Sequence, residues 1–338
     1  MNFYTLTFKT TKNPKAWLKG IFIISFSISL FIFAVNYIVD PYHITQYNLL
    51  NIKYKFARDD RTEKLNYFKT LPSFDTILIG SSRVYSINPK IVSDILGGET
   101  YNFGVGTATV EDHLGVIKYL EKNKKLPKNI IIGIDFYTFN PDVPPNGYFL
   151  KNRELNFLSY QNYSEDYLAK FFSIDSFRAS FKTLQKHFSS KEEKPRFNAN
   201  GWGGSYSSSS NNKNMPQEIQ KELEENQELF YSNFTYNHID PKRQAYYEEI
   251  KEICQKYHIT LYLFTTPLHP YLLKELEQHK STSKALKEFI TFLSTFNNFR
   301  NFYQDEIFYN NVKYFHGITH TTPYAGDIII RKLLTESR

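Results

Sequence analysis

Residues 76–83 read Thr-Ile-Leu-Ile-Gly-Ser-Ser-Arg, and this stretch decides the fold that we predict. Its first half is β-branched and aliphatic, as in a short strand buried inside a parallel sheet. The strand breaks at Gly80, and Ser81 and Ser82 then stand where the next helix should begin. Since α/β folds place their chemistry at the carboxyl edge of the sheet, the stretch predicts an exposed serine hydroxyl at that edge.

His320 lies far downstream, just before the last predicted helix. A serine hydroxyl is a weak nucleophile until a base removes its proton, and histidine is the commonest such base. If Ser82 and His320 meet, the pattern predicts an enzyme that handles acyl groups. The serines also have a second interpretation, because serine at a strand-to-helix turn is common as a helix N-cap alone.

The elements that follow alternate between helix and strand. We predict strands at residues 100–103 and 129–135, and helices at residues 89–96 and 110–124. This β-α-β-α-β order indicates an α/β fold with a doubly wound parallel sheet. After an interruption the pattern resumes with a helix from Asp240 to Tyr257, a strand at 259–264, further helices between 271 and 296, a strand near 299–303 and a last helix at 323–335.

The interruption spans about residues 136–236. It contains a proline-rich turn, helical runs around residues 167–187, and a tract of Gly, Ser and Asn at 200–214. We interpret it as a mostly helical insertion over one end of the sheet, with the tract as a loop or a disordered segment.

The first forty residues have a basic part and an apolar part. Residues 1–20 carry Lys9, Lys12, Lys15 and Lys19, and residues 21–39 are uncharged. This apolar length is close to the ~20 residues that a transmembrane helix needs. The positive-inside rule then keeps the N-terminus in the cytoplasm and predicts export of everything after Asp40. A cleaved signal peptide is the alternative, although the run is long for one and no small-x-small site follows it.

We interpret residues 40–71 as a membrane-proximal linker and residues 72–338 as the main domain. In the linker, five residues are expected to form a solvated charged face: Arg58, Asp59, Asp60, Arg61 and Glu63. The formal net charge is +7, but the four N-terminal lysines supply more than half of it, so a nucleic-acid partner has little support. Cys254 is the one cysteine, and no close-spaced histidine motif occurs, so we expect no metal and no cofactor.

Four motifs follow one another in the order found in the SGNH (GDSL-like) hydrolase superfamily, which the chain resembles over roughly residues 70–338. They are Gly80-Ser81-Ser82 after the first strand, Gly104 after the second, Gly133-Ile134-Asp135 after the third, and His320 before the last helix. The N-terminal anchor, the Ser-Ser-Arg form and the insertion resemble the membrane-anchored branch with the lipoteichoic acid D-alanylation protein DltD and the alginate O-acetylation proteins AlgJ and AlgX. The resemblance implies a three-layer α/β/α fold.

The resemblance also implies roles for particular residues. Ser82 would be the nucleophile and His320 its base. The backbone N–H groups of Ser82 and Gly104 would face the oxyanion, with Asp135 at the position of a third donor. Gly104 has a plainer interpretation as a turn glycine with positive φ.

Arg83 and Asn102 are the candidates for binding substrate. Arg83 would contact an anionic group such as a phosphate or a uronate. A structural ion pair is the other interpretation of this arginine.

Two positions depart from the family pattern. Gly317 stands three residues before His320, where the family has an aspartate that orients the imidazole. Asp135 replaces the family's asparagine, and an ionised carboxylate cannot donate to an oxyanion. Either Asp305 or Asp327 substitutes for the missing acid, or the serine and histidine act as a dyad, or catalysis is lost.

Three other histidines are candidates for lesser roles. His316 is close enough in sequence to serve as the base instead of His320. We expect His113 and His269 at the surface or the rim of the site.

The resemblance implies a membrane-anchored, extracytoplasmic acyltransferase or esterase that acts on O-acyl groups of a cell-envelope glycan. It also implies a bacterial inner-membrane location and a membrane-bound O-acyltransferase as a partner. The first rival is a catalytically decayed subunit that binds glycan or serves as a scaffold. A second rival is a purely structural envelope protein.

Overall fold

The structure is a computed structural model that describes residues 14–336, except 43–44, 46–48, 51, 53–58, 72, 153, 159–168, 190–196, 204–220, 222–224, 226–231 and 310. It divides into two compact units. The smaller comprises residues Met1–Arg58 and Gln161–Glu193, and the larger comprises Asp59–Tyr160 and Lys194–Arg338.

The larger unit contains a parallel sheet. Within the described residues, five strands pair in the order β2-β1-β3-β4-β5, all parallel. They are β1 Thr76–Gly80, β2 Thr100–Gly104, β3 Asn129–Ile134, β4 Thr260–Thr265 and β5 Phe299–Arg300. This confirms the predicted α/β fold with a parallel sheet, although β5 is shorter than expected.

The helices of the larger unit follow the alternation read from the sequence. They are α2 Asp60–Thr70, α3 Pro89–Leu96, α4 Val110–Lys122, α5 Gly147–Lys151, α7 Pro241–Lys256, α8 Pro270–Gln278, α9 Lys280–Leu293, α10 Glu306–Tyr309 and α11 Pro323–Thr335. Short 3₁₀ turns occur at Ser82–Val84, Phe136–Phe139 and Val312–Tyr314, and a small hairpin pairs β6 Phe315–His316 with β7 His320–Thr321.

Both faces of the sheet are covered. Alternate residues of β1 enter different cores, because side chains of a strand point to opposite faces. Ile77 and Ile79 pack with residues of α2, α4, α7, α8 and α9. Leu78 packs on the other face with residues of α3 and α11. Strand β1 is therefore buried on both sides, as its continuous apolar sequence predicts.

The strand order defines where a site should lie. The chain runs from β1 to β2 on one side and then returns to β3 on the other side of β1. In doubly wound sheets ligands bind in the crevice outside the carboxyl ends of the strands where the order reverses. Ser82 follows β1 and Asp135 follows β3, so both lie at this point.

Two glycines let the turn that carries Ser82 approach the sheet closely. A Cβ on Gly80 would lie 2.3 Å from Val84 Cγ2, and a Cβ on Gly133 would lie 2.7 Å from the same atom. Side chains cannot approach this closely. The glycines that end β1 and interrupt β3 therefore set the height of the Ser82 turn above the strands.

The predicted solvated face of the linker is wrong. Helix α2 belongs to the larger unit, and Asp59, Asp60 and Arg61 are buried. The charges are tolerated because they are paired: Arg61 donates from Nε and Nη2 to the two carboxylate oxygens of Asp112, at 2.6 and 2.8 Å. Residue 58 lies outside the described residues, and Glu63 is half-buried.

The smaller unit contains α1 Pro14–Val39 and α6 Ile174–Phe188. Helix α1 has 26 residues and is long and apolar enough to cross a membrane, as a signal sequence near an N-terminus also is. It begins before the apolar run predicted at residue 21.

Residues 161–193 of the predicted insertion group with α1 in the smaller unit. A later part does reach the sheet edge, where Asn102 N donates to Asn200 O at 2.9 Å. Much of the predicted insertion and the tract at 204–214 lie outside the described residues, so its boundaries stay a prediction.

Candidate active site

The two serines after β1 have different tasks. Ser81 is the N-cap of the 3₁₀ turn, and its Oγ accepts a hydrogen bond from Arg83 N at 3.2 Å. Ser82 is half-buried, and its Oγ lies 2.9 Å from His320 Nε2. Capping therefore uses Ser81, and the hydroxyl of Ser82 is left to face the histidine.

A tight hairpin brings His320 to this position. Strands β6 and β7 pair antiparallel, with His316 opposite His320. Gly317 lies in the connection with a φ of 77°, a conformation that favours glycine. An aspartate at this position, as in the resembling family, would be strained. The turn thus favours glycine over the aspartate that the resembled motif has at this position.

The second nitrogen of His320 contacts a hydroxyl. His320 Nδ1 lies 3.0 Å from Thr319 Oγ1. With the proton on Nδ1 donated to Thr319, Nε2 carries the lone pair that can accept the proton of Ser82. The arrangement can act as a Ser–His dyad in which a threonine orients the ring.

The two acids considered as substitutes have other neighbours. Asp305 pairs with Lys332 at 2.9 Å and with Arg300 at 3.5 Å. Asp327 lies on α11, where burial raises the pKa of its carboxyl and Arg331 opposes that shift. The hydroxyl of Thr319, and not a carboxylate, lies 3.0 Å from His320 Nδ1.

The surroundings of His320 keep the imidazole neutral. Burial is the largest of the causes that together lower the pKa of His320 to about 4; the charges of Arg83 and His316 act in the same direction, and that of Asp135 acts in the opposite one. An imidazole with this pKa is unprotonated at neutral pH. It can therefore accept a proton from Ser82, although it is a weaker base than an ordinary histidine.

Arg83 forms a buried ion pair with Asp135. Its Nη1 lies 2.6 Å from Asp135 Oδ1, and its Nε donates to the carbonyl of Thr319 at 2.6 Å. Within the described residues, neither Arg83 Nη1 nor Asp135 Oδ2 has a hydrogen bond of good geometry. The attraction between the two side chains is therefore chiefly electrostatic. Burial alone would lower the pKa of Arg83, but the Asp135 carboxylate raises it. The contacts support the structural interpretation of Arg83 over anion binding.

Asn102 is a structural residue, which corrects the expectation that it binds substrate. Its side chain is fully buried, and its Nδ2 donates to the carbonyls of Val84 and Ile87 at 2.9 and 3.0 Å. Its Oδ1 accepts from Gly104 N at 2.8 Å. Asn102 thus fastens the Ser82 turn to β2.

Two of the three expected oxyanion donors are otherwise engaged. The N–H of Gly104 points to Asn102, so its expected role is wrong. Asp135 accepts from the hydroxyl of Thr266 and pairs with Arg83, and it offers no donor. Ser82 is the first residue of its turn, a position whose N–H the turn itself does not use. This N–H is the donor that remains from the predicted set.

Two histidines expected at the surface are buried. His113 Nδ1 lies 2.8 Å from the hydroxyl of Tyr247, and burial lowers the pKa of His113 to about 4. His269 caps α8 by accepting from Tyr271 N at 3.2 Å, and burial lowers its pKa to about 4 as well. Both expectations are wrong because each ring serves packing and local hydrogen bonds.

Sequence reasoning missed Thr319 and Thr266. The hydroxyl of Thr319 contacts the base, and that of Thr266 contacts Asp135. A threonine next to a histidine in the sequence does not predict a contact between the two side chains until the pairing of the hairpin strands is known. Thr266 follows β4, and its place just after a buried strand was the one available clue.

Among the described residues, no group of three or more His, Cys, Asp or Glu side chains could hold a metal ion. No protein-family model matches this chain, and no curated protein matches it. The resemblance to SGNH hydrolases therefore rests on the quoted motifs.

Replacing Asp135 by asparagine tests the ion pair. Removing one partner of a buried pair leaves an uncompensated charge, so D135N should lower the free energy of unfolding by about 3–5 kcal/mol. Asp94 is the matched control, because it pairs with Lys90 at the exposed surface and D94N should change stability little. Urea unfolding of the full chain in detergent measures both. Equal midpoints for the two variants would contradict a structural role for Arg83 and Asp135.

The lowered pKa of His320 predicts the pH profile. The base works in its neutral form, so hydrolysis of 4-nitrophenyl acetate should be constant from pH 8 to about 5.5 and fall to half near pH 4. The rate of Ser82→Ala at each pH is the baseline, and near-UV circular dichroism checks folding. A half-rate near pH 6.5, the value of an unperturbed histidine, would show that burial does not control this ring.

Proposed function

We propose that this chain is a membrane-anchored, extracytoplasmic acyltransferase or esterase that acts on O-acyl groups of a cell-envelope glycan. The observation that carries the proposal is the 2.9 Å contact between Ser82 Oγ and His320 Nε2 at the carboxyl edge of the sheet. Ser82 lies where doubly wound sheets bind ligands.

The chemistry proceeds in two steps. Ser82 Oγ attacks the carbonyl carbon of an acyl donor while His320 Nε2 takes the hydroxyl proton. The tetrahedral intermediate collapses, the bond to the leaving oxygen breaks, and His320 returns the proton to that oxygen. This leaves an ester on Ser82. In the second step His320 removes a proton from a sugar hydroxyl or from water, which attacks the ester and releases Ser82.

The choice of an envelope glycan rests on the motif order shared with SGNH hydrolases and on the apolar helix α1. By the positive-inside rule the lysines before the uncharged run at 21–39 keep the N-terminus in the cytoplasm of a bacterium, with residues after Asp40 outside the inner membrane. A membrane-bound O-acyltransferase would supply the acyl group.

One observation favours a second function, that of a non-catalytic glycan-binding or scaffolding subunit. Gly104 N–H is bound to Asn102, and Asp135 is bound to Arg83, so the site lacks two expected oxyanion donors. Loss of one such donor costs about 10²–10³ in kcat in a serine hydrolase. We rank the enzyme first because nothing in a scaffold requires the serine and histidine to meet.

Substitution of the two adjacent serines separates chemistry from stability. Ser82→Ala removes the nucleophile, so no acyl ester can form on the protein. Ser81→Ala removes the cap and costs about 0.5–2 kcal/mol of stability but leaves Ser82 in place. For a transferase, S82A cells should make normal protein levels and a glycan that lacks its base-labile esters, while S81A cells keep them. For an esterase, S82A should give excess ester.

Immunoblots and the acyl groups that mild base releases from purified envelope glycan are the measurements. If deleting the gene alters ester content and S82A does not, the scaffold function stands and the enzyme is excluded. If deletion leaves ester content unchanged, the glycan assignment is wrong.

A further inference from the structure

Helix α6 carries its large apolar residues on an exposed side. Residues 174, 177, 181, 184 and 188 recur every three or four positions and are Ile174, Phe177, Phe181, Leu184 and Phe188. We call this set the α6 stripe. Three of its members are exposed, with 61% of Ile174, 65% of Phe181 and 79% of Phe188 accessible. In a water-soluble protein such a stripe faces the core instead.

The side of α6 that is buried carries small residues. Ser176, Ala179, Ser180 and Thr183 are the buried residues of this helix. Helices that associate inside a bilayer do so through small residues of this kind, because lipid leaves packing and polar contacts as the attractive terms. At 100° per residue, the stripe lies about 130° around the helix from this small-residue side.

The contact between α6 and α1 has the polar features of a membrane helix pair. Asn36, in the last turns of α1, is buried and donates to the carbonyls of Phe171 and Ser173 at 2.8 and 3.1 Å. Ser180 Oγ donates to Asn36 Oδ1 at 2.9 Å. An asparagine in an apolar helix is costly in lipid unless another helix satisfies it, and α6 does so.

Aromatic rings continue the contact along α1. The ring of Phe31 lies 6.0 Å from that of Phe177, and the ring of Phe33 lies 5.0 Å from that of Phe172. Phe177 belongs to the α6 stripe, and Phe31 is 61% exposed on α1. The stripe is therefore continuous with the apolar surface of the helix that is suited to cross the membrane.

The remaining side of α6 is basic. Arg178 and Lys182 are one turn apart on it, and both are exposed. Asp175 lies near them and pairs with Arg178 at 3.0 Å. Amphipathic helices at a membrane surface commonly combine an apolar side in the acyl chains with basic side chains that contact anionic headgroups.

We propose that the α6 stripe lies in the lipid of the bilayer that α1 crosses, with Arg178 and Lys182 at the level of the headgroups. The anchor is then a pair of helices joined through Asn36, and the membrane is the partner of this part of the insertion. The proposal depends on α1 spanning a membrane and does not depend on acyl transfer by Ser82.

Site-directed spin labelling of the full chain tests the proposal. Cys254→Ala provides the background, and single cysteines replace Phe181 in the stripe and Arg178 on the basic side. Phe26→Cys on α1 and Lys90→Cys on α3 serve as references for lipid and for water. The protein is placed in phosphatidylethanolamine and phosphatidylglycerol vesicles, and power-saturation EPR measures collisions with dioxygen, which concentrates in lipid, and with a water-soluble nickel chelate.

The label at position 181 should match the label at position 26, with dioxygen accessibility several-fold above nickel accessibility. The label at 178 should shift toward the pattern at 90. Nickel accessibility at 181 equal to that at 90 would place the stripe in water and overturn the proposal. Shielding of 181 from both reagents would mean that protein, either a second copy or a partner, covers the stripe, and that also overturns it. If the label at position 26 shows the accessibilities of the water reference at position 90, α1 does not lie in lipid, and the proposal is overturned as well.

Discussion

The buried ion pair between Arg83 and Asp135 is the interaction on which the candidate site depends. Arg83 follows Ser82 directly, Asp135 ends β3, and the Nε of Arg83 binds the carbonyl of Thr319, the residue before His320. One guanidinium thus connects the Ser82 turn, the sheet and the hairpin that carries His320. Buried pairs of this kind add little net stability, but removing one partner is costly, so they fix geometry. The distance between Ser82 and His320 is set by this connection.

The same interaction limits what the site can do. Asp135 lies at the carboxyl end of β3 beside the candidate site, but its carboxylate has no proton to donate to an oxyanion and is paired with Arg83. Asn102 Oδ1 similarly accepts the hydrogen bond of Gly104 N–H. Its Nδ2 donates to the carbonyls of Val84 and Ile87, which fastens the Ser82 turn to β2. Ser82 and His320 are therefore held in contact, while Gly104 N–H and Asp135 are engaged elsewhere and are not available as oxyanion donors. We expect slow chemistry, suited to an activated acyl donor, because oxyanion stabilisation is commonly the largest catalytic term.

The sequence predicted the parts of the fold that depend on local patterns. Helix α3 begins at Pro89 and ends before Gly97. Both ends are predictable, because proline is favoured at the first helical position and glycine just after the last. β3 was found from a continuous apolar run. The order of the motifs predicted that Ser82 and His320 would meet, and they lie 2.9 Å apart, with a glycine turn at Gly317 between the two strands of the hairpin that carries His320.

The failures concern contacts between residues far apart in the chain. The local sequence predicts that Arg61 is an exposed charge. Its burial depends on Asp112, which lies beside it only in the folded chain. The local sequence predicts that Asn102 is a polar group available at the edge of the sheet. In the folded chain its side chain is instead bound to the carbonyls of Val84 and Ile87. The docking of α6 on α1 likewise depends on Asn36 and Ser180, whose separation along the chain gives no local signal.

The most direct measurement of the central claim is the reaction of the purified full chain with a fluorophosphonate. Such a reagent forms a stable phosphonyl ester with a serine that a base has activated, and releases fluoride. Intact-mass and peptide mass spectrometry should show one adduct, on Ser82, and its rate of formation should fall at least tenfold in His320→Ala, which keeps Ser82 but removes the base. No adduct on Ser82, or an adduct that forms as fast without His320, would contradict the account that these two residues work as nucleophile and base.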